Sequence, residues 1–285
     1  MTPVSSTPIS VIITAYNEAA VIGRCLDSLL AGASPDDLEI IVVANGCTDE
    51  TVAIASSRPQ VKVIELPEAG KAAALNAGDA VASGFPRIYL DSDVILSPKA
   101  ALDLARALTP VDDASAPLAV TPRRELNTKG RSVVVRGFYA INSRLPIFKD
   151  ALFGRGVIAV SRAGRERFGV FPEQMADDLF LDSRFTSAEK REVNTVVSHV
   201  ETPKRTRDLL RVQTRVRAGN ARLRAIDAST RPPARSSWLT EVLLPKPWLL
   251  PAAVAYLTVT LIAAHRAKRA KANHWGRDES TRTGA

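Results

Sequence analysis

Histidine and cysteine are scarce in this 285-residue chain, and the scarcity removes several chemistries. His199, His265 and His274 are scattered, none at metal-ligand spacing to another. No Ser-His-Asp or Cys-His arrangement accompanies them, so catalysis through a covalent enzyme intermediate is not indicated. The two cysteines, Cys25 and Cys47, are too few for a disulfide framework. Each reads as a buried, reduced thiol, as expected of a cytosolic chain. A secretory leader is not expected either: residues 1–8 are polar, and the first apolar run, 9–13, is shorter than a leader's apolar core. The last shortage, of acidic residues, is local. Residues 201–285 hold 6 Asp+Glu against 17 Lys+Arg, a net of +11, while residues 1–200 hold 24 against 21, a net of −3; together they make the chain's +8. The basicity belongs to the C-terminal part, where nucleic acid and an anionic membrane surface are the candidate partners.

What is present is an alternation. Short apolar runs at 9–13, 39–43, 61–64 and 88–90 read as buried strands. The stretches between them, 19–30, 50–57 and 70–83, read as helices, and Pro35 breaks the first. Continuous apolar strands separated by helices predict a Rossmann-like α/β fold, a mostly parallel sheet with helices on both faces. Ligands of such sheets bind beyond the carboxyl ends of the strands. Tyr16, Asn45, Lys71 and Asp91-Ser92-Asp93 all follow successive strands, so the pattern sends them to one crevice.

The fourth run ends in Asp91-Ser92-Asp93. On an extended chain two carboxylates one residue apart emerge on the same side. They repel each other unless a cation lies between them, and Mg2+ is often held by one or two carboxylates plus phosphates. The pattern points to a divalent metal on a diphosphate. The plain alternative is a polar strand-to-loop turn.

Four segments, in order, sharpen this. Ser10-Val11-Ile12-Ile13-Thr14-Ala15-Tyr16-Asn17-Glu18, Val43-Ala44-Asn45-Gly46-Cys47-Thr48-Asp49, Gly70-Lys71-Ala72-Ala73-Ala74-Leu75-Asn76-Ala77-Gly78 and Asp91-Ser92-Asp93 together resemble the family-2 glycosyltransferases of GT-A fold over roughly the first hundred residues. The resemblance implies a nucleotide-sugar donor bound by Tyr16, Glu18, Asn45, Lys71 and Asp91. Tyr16 would pack on the base and Lys71 would reach the diphosphate as a point charge. Asp93, with Asp91, would hold Mg2+ or Mn2+. One departure matters: the family commonly has Asp-Asp where this chain has Ala44-Asn45. The first of those carboxylates usually contacts the nucleobase, which Ala44 cannot do, so the donor's base stays open.

Beyond residue 110 the elements read as a helix at 133–148, a Gly-flanked strand at 152–161, a strand at 193–200 and an arginine-rich helix at 208–226. Asp177 and Asp178 open a segment similar to the family's Glu-Asp-x-x-Leu-x-x-Arg. Inverting sugar transfer needs one carboxylate to accept the proton of the incoming hydroxyl. That role goes to Asp178, with Asp177 supporting it; the alternative is that both merely favour a helix N-terminus. Arg155, Arg184, Arg215 and Arg217 are the candidate acceptor or diphosphate contacts, Arg184 more as an orienting group. Arg215 and Arg217 are carried by Gln213-Thr214-Arg215-Val216-Arg217, a loose match to the family's Gln/Arg-x-x-Arg-Trp that lacks the tryptophan.

The expected organisation is a tail at 1–8, a GT-A domain at 9–230 (donor half 9–110, acceptor half 111–230), a linker at 231–247 and an apolar helix with a basic tail at 248–285. The run at 248–264 is near the lower limit for crossing a bilayer. Basic residues flank it on both sides, so a span would set one flank against the positive-inside rule. It is expected to dock on the cytoplasmic leaflet, or else to pack as a protein helix. The expected activity is transfer of a sugar from a nucleotide-sugar to a hydroxyl acceptor (polysaccharide, glycolipid or polyprenyl phosphate) with no nucleic acid beyond the donor nucleotide. Two rivals stay open. A nucleotidyltransferase would want a Gly-rich loop where Thr14-Ala15-Tyr16-Asn17-Glu18 stands, and Ala44 keeps a non-catalytic membrane-associated scaffold in view.

Overall fold

The computed structural model describes residues 8–34, 36–109, 116–149, 151–173, 176–233 and 238–269. Most of the expected tail at 1–8, the helix-breaking Pro35, residues 110–115, part of the expected linker at 234–237 and the basic tail past Arg269 lie outside the described residues.

The predicted alternation is present. Strands β1 (Ile9–Ala15), β2 (Leu38–Asn45), β3 (Val61–Leu66) and β4 (Arg87–Asp91) are parallel neighbours. Helices α1 (Ala19–Leu30), α2 (Thr51–Ser56) and α3 (Lys71–Val81) connect them. Helix α4 (Pro98–Arg106) follows β4, with Ser97 capping it by accepting the N–H of Ala100. Strands β5 (Ala119–Asn127), β6 (Val157–Val160) and β7 (Lys190–Glu201) complete a seven-stranded sheet of order β3-β2-β1-β4-β6-β5-β7. Strand β6 runs antiparallel to both β4 and β5. The run expected as one strand over 152–161 forms a strand only at its end. Gly154 and Gly156 adopt positive φ and turn the chain before it.

The chain divides into two compact units. The first holds residues 1–124, 152–173 and 184–199. Its register aligns Ile12 with Ile41 and with Tyr89, so the three central strands share their inward and outward faces. Val11, Ile13, Val42, Ile88 and Leu90 pack on one face with Ile22, Leu26, Leu29 and Leu104 of the covering helices. The opposite face carries α3. A Cβ at Gly78 would stand 2.6 Å from Ile12 Cγ2, so the small residues of α3 let its backbone lie close against β1 and β2. The buried Asp79 fastens this face: it accepts from the Tyr89 hydroxyl at 3.2 Å and pairs with Arg87 and Arg165. Strand order reverses beside β1, whose neighbours β2 and β4 are not consecutive across it. That is where open α/β sheets leave a crevice.

The second unit holds residues 125–151, 174–183 and 200–285. Helices α5 (Val133–Asn142), α8 (Thr206–Ile226) and α9 (Leu250–Arg269) enclose a core of Val135, Phe138, Ile141, Leu209, Val242, Ala253, Tyr256 and Val259. Phe138 stacks on Tyr256 at 5.4 Å between ring centroids. Part of the segment read as a linker is structured: Trp238–Leu243 form a π-helical turn whose Val242 enters that core. Two short helices complete the set, α6 (Arg162–Arg165) in the first unit and α7 (Asp177–Ser183) in the second.

Candidate active site

The carboxyl ends of β1, β2 and β4 gather the first half of the candidate residues. Asp91 is the last residue of β4 and pairs in register with Thr14 of β1. Its N–H donates to the Gly156 carbonyl at 2.8 Å. Its Oδ1 lies 2.8 Å from Lys71 Nζ, which projects from the first turn of α3. Both side chains remain partly open to solvent, 44% for Asp91 and 29% for Lys71.

The strand stops at Asp91, and Ser92 and Asp93 form a turn. Strand alternation therefore does not set the direction of Asp93; the turn does, and it leaves Asp93 exposed. Both carboxylates act on the Cys25 thiol of α1. Burial first, then Asp93, then Asp91, push that thiol up to about 12. Cys25 is thus the inert thiol expected, while Cys47 is only half-buried, in the turn after β2.

The donor set at this end is all oxygen, which suits a hard divalent cation. Among the described residues no group of three or more His, Cys, Asp or Glu could hold a metal. The chain would thus supply Asp91 and Asp93, and substrate phosphate the remaining ligands, as is usual for Mg2+. The residues fit the cation on those terms.

Several expected contacts are redirected. Asn45 is 2% exposed. Its Nδ2 donates to the Ala15 carbonyl at 2.8 Å, and its Oδ1 accepts the Gly70 N–H at 2.9 Å. It ties the end of β1 to the start of α3 and so positions Lys71, one residue further on. Glu18 is buried beneath the first turn of α1: its N–H donates to Thr51 Oγ1 at 2.7 Å and its carbonyl accepts from Val21 and Ile22. Arg155 is also buried, pairing with Glu192 at 2.6 Å and donating to the Pro122 and Phe153 carbonyls. Asn45 and Arg155 are braces of the fold, because their polar groups are spent on the protein, and Glu18 braces it through its backbone groups. Tyr16 is half-buried at the mouth of β1. Asn17, at φ 51, joins its loop to the next by accepting the Thr48 N–H at 2.7 Å.

Of the remaining candidates, Asp177, Asp178, Arg215 and Arg217 lie in the second unit and Arg184 in the first. Asp177 and Asp178 form the first turn of α7, both half-buried. Asp178 Oδ1 accepts the Leu179 N–H at 2.7 Å. The residue before them, Ala176, holds φ 105, a conformation costly for any residue with a Cβ. Helix α7 is braced from the far end of its unit: the Arg231 N–H donates to Ser183 Oγ at 2.9 Å, and its guanidinium pairs with the fully buried Asp182 at 3.1 Å. Arg184 follows α7 directly and is half-buried. Arg215 is half-buried on α8. Arg217 is turned inward: its Nη2 donates to Thr260 Oγ1 of α9 at 3.4 Å, and burial lowers its pKa. It is a helix-packing residue rather than an acceptor contact.

Sequence reasoning missed Gly156. A Cβ there would stand 2.5 Å from Val94 Cγ2 and 3.3 Å from Asp91 Oδ2, and its φ is +69. Only glycine lets this loop lie against the Asp91 turn. The signal in the sequence is Gly154-Arg155-Gly156, two glycines that a strand reading takes only as flanks.

The family model for glycosyl transferase family 2 matches residues 10–158. Curated relatives include the chondroitin synthase of Pasteurella multocida strain Pm70 and the hyaluronan synthase of Pasteurella multocida. Each is 34% identical over 135 residues, 46% of this chain. The matches span only 14% and 13% of those relatives' lengths. Among solved structures, a mannosyltransferase from Pyrobaculum calidifontis, in complex with GDP-Man and Mn2+, superposes with a TM-score of 0.57 at 25% identity. It covers 95% of this chain and 78% of its own. Glucosyl-3-phosphoglycerate synthase from Mycobacterium tuberculosis, in complex with Mn2+, UDP and glucosyl-3-phosphoglycerate, superposes at 0.56 with 24% identity, covering 77% and 79%. The fold is GT-A, as the resemblance implied.

Proposed function

The chain belongs to glycosyl transferase family 2, and on that premise we propose that it transfers a sugar with inversion from a nucleoside-diphosphate sugar to a hydroxyl acceptor. The observation that carries this reading is the Lys71–Asp91 ion pair at the carboxyl ends of the parallel strands, beside the exposed Asp93. It offers a diphosphate one cation and two carboxylates in a place where such sheets bind ligands.

In this reading Lys71 donates to the diphosphate and Tyr16 packs on the base. Asp91 and Asp93 would hold Mg2+ or Mn2+, which when bound would supply positive charge to offset that developing on the leaving nucleoside diphosphate. The acceptor oxygen bonds to the anomeric carbon as the bond from that carbon to the diphosphate breaks. The acceptor's proton goes to Asp178, with Asp177 beside it. Asn45 acts through Lys71. Support for a nucleotide-sugar donor comes from the mannosyltransferase neighbour, whose complex contains GDP-Man, and support for a divalent cation from both solved neighbours, whose complexes contain Mn2+. Polysaccharide, glycolipid and polyprenyl-phosphate acceptors all suit the reading, and the cytoplasmic membrane surface is the assigned location.

The test is Asp178→Asn. A general base contributes about 10²- to 10⁴-fold, so transfer should fall by about a hundredfold or more. Calorimetric binding of the donor nucleotide with Mn2+ should remain. Full transfer activity in this variant removes Asp178 as the base.

A further inference from the structure

Helix α9 is long and apolar enough to cross a bilayer, with a mean hydropathy of 1.7 over its best 18 residues, yet only 22% of that window is buried in the protein. Its two faces are occupied differently. Ala253, Tyr256, Val259 and Ala263 form one buried stripe, the first three of them in the core shared with α5 and α8. Leu250, Val254, Leu257 and Leu261 follow the other helical stripe and face outward; Leu250, Val254 and Leu261 are each about 60% exposed. Trp248 stands before the helix at 70% exposure. His265, Arg266, Lys268 and Arg269 are exposed at its far end.

From this we infer that α9 lies flat in the headgroup region of an anionic lipid leaflet, with its outer stripe in the lipid and its inner stripe still in the protein core, and does not cross the membrane. The inference rests on the membrane location assigned above and decides how the chain meets that surface.

Crossing is incompatible with the packing. A spanning α9 would take α8 into the hydrocarbon with it, and Arg217 of α8 is bonded to Thr260 in the middle of α9. Arg211, Arg215 and Arg222 of the same helix would accompany it, at a cost that membrane segments avoid. Lying in the interface needs no rearrangement. The outer stripe inserts, Trp248 sits at headgroup level, and the basic end meets anionic lipid. The net charge of +11 over residues 201–285 has the sign that such a leaflet attracts. A second copy of this chain is the poorer occupant. Residues 247–269 contain no Asp or Glu, so two such faces would bring like charges together with no counter-charge.

The full chain should cosediment with phosphatidylcholine vesicles containing phosphatidylglycerol, and much less with phosphatidylcholine alone or in high salt. Replacing the outer stripe together, Leu250→Gln, Val254→Gln and Leu261→Gln, should lower vesicle partitioning by about tenfold or more. It should leave the melting temperature and the binding of the donor nucleotide in place. Alkaline carbonate should release the native protein from membranes. Equal vesicle binding by the triple variant overturns the inference, as does carbonate-resistant retention. So does a stable dimer that the triple substitution dissociates without any vesicle binding. Donor binding is read in the same samples, so a failure here leaves the glycosyltransferase reading separately judged.

Discussion

Substituting Lys71 separates a site group from a structural one, because the two roles differ in magnitude. Lys71 Nζ lies 2.8 Å from Asp91 Oδ1, and an ion pair at such range has a gross attraction of several kcal/mol, about 4 at 4 Å for an effective dielectric of 20. Little of that becomes stability, since the pair is 29% and 44% exposed and water screens both partners. Exposed pairs contribute about 0.2–1 kcal/mol. Lys71→Met, which keeps the apolar stem, should therefore lower the melting temperature by no more than about 2–4 °C. Donor binding should suffer more. A charge-assisted hydrogen bond to a diphosphate oxygen is worth about 1.5–3 kcal/mol, or about 10- to 150-fold in Kd at 1.4 kcal/mol per tenfold. Calorimetry with UDP and GDP in Mn2+, beside scanning calorimetry of the free protein, reads both quantities. Unchanged nucleotide affinity, or a stability loss above about 3 kcal/mol with weak effects on binding, would refute the placement of Lys71 at the diphosphate.

Gly156→Ala should weaken Mn2+-dependent nucleotide binding by about tenfold or more, because the new Cβ would overlap Val94 and crowd Asp91. Gly32→Ala is its control: it has a similar positive φ, and so a similar cost of about 1–2 kcal/mol, but meets no atom within 4 Å and should leave binding intact. Glu39 is opposed by burial, but the Ser10 hydroxyl and the Ser83 and Gly84 N–H groups overcome this and hold its carboxyl below the usual range. A depressed folded pKa stabilises above the unfolded value, about 4.3 for Glu. Denaturant titrations should thus show Glu39→Gln less stable than the parent at pH 7, with the gap closing as pH falls below about 4; a gap that widens in acid contradicts the assignment. With its thiol pushed up to about 12, Cys25 should resist iodoacetamide at pH 8 in the native protein, read by peptide mass mapping. Labelling at the rate of a free thiol would show that α1 opens readily.

The alternation of strands and helices was legible because parallel strands buried on both faces must be apolar throughout, and this pattern survives without any partner in view. The ends of those strands were legible for the same reason: once the strands are located, the residues that follow them are located too. Tyr16, Lys71, Asp91 and Asp93 were placed at or after strand ends this way. What each polar side chain bonds to was not legible. Asn45 and Arg155 look like site residues in one dimension, yet each is turned inward onto backbone groups contributed from elsewhere in the chain, while Glu18 is buried at the start of α1 with its N–H on the Thr51 hydroxyl. The antiparallel return of β6 between β4 and β5 was equally hidden, since strand order depends on long-range pairing.

Helix α9 shows the same division. Its composition alone established an apolar helix of membrane length with a basic end, because hydropathy and charge are local properties. Which face of it is covered was decided only by α5 and α8, elements far off in sequence. Asp91-Ser92-Asp93 was likewise fixed as a pair of carboxylates at a strand end by the chain itself. That Asp91 pairs with Lys71 and meets the close approach of Gly156, while Asp93 stands exposed on a turn, was decided by tertiary structure, because a side chain's surroundings are set by what the fold brings beside it.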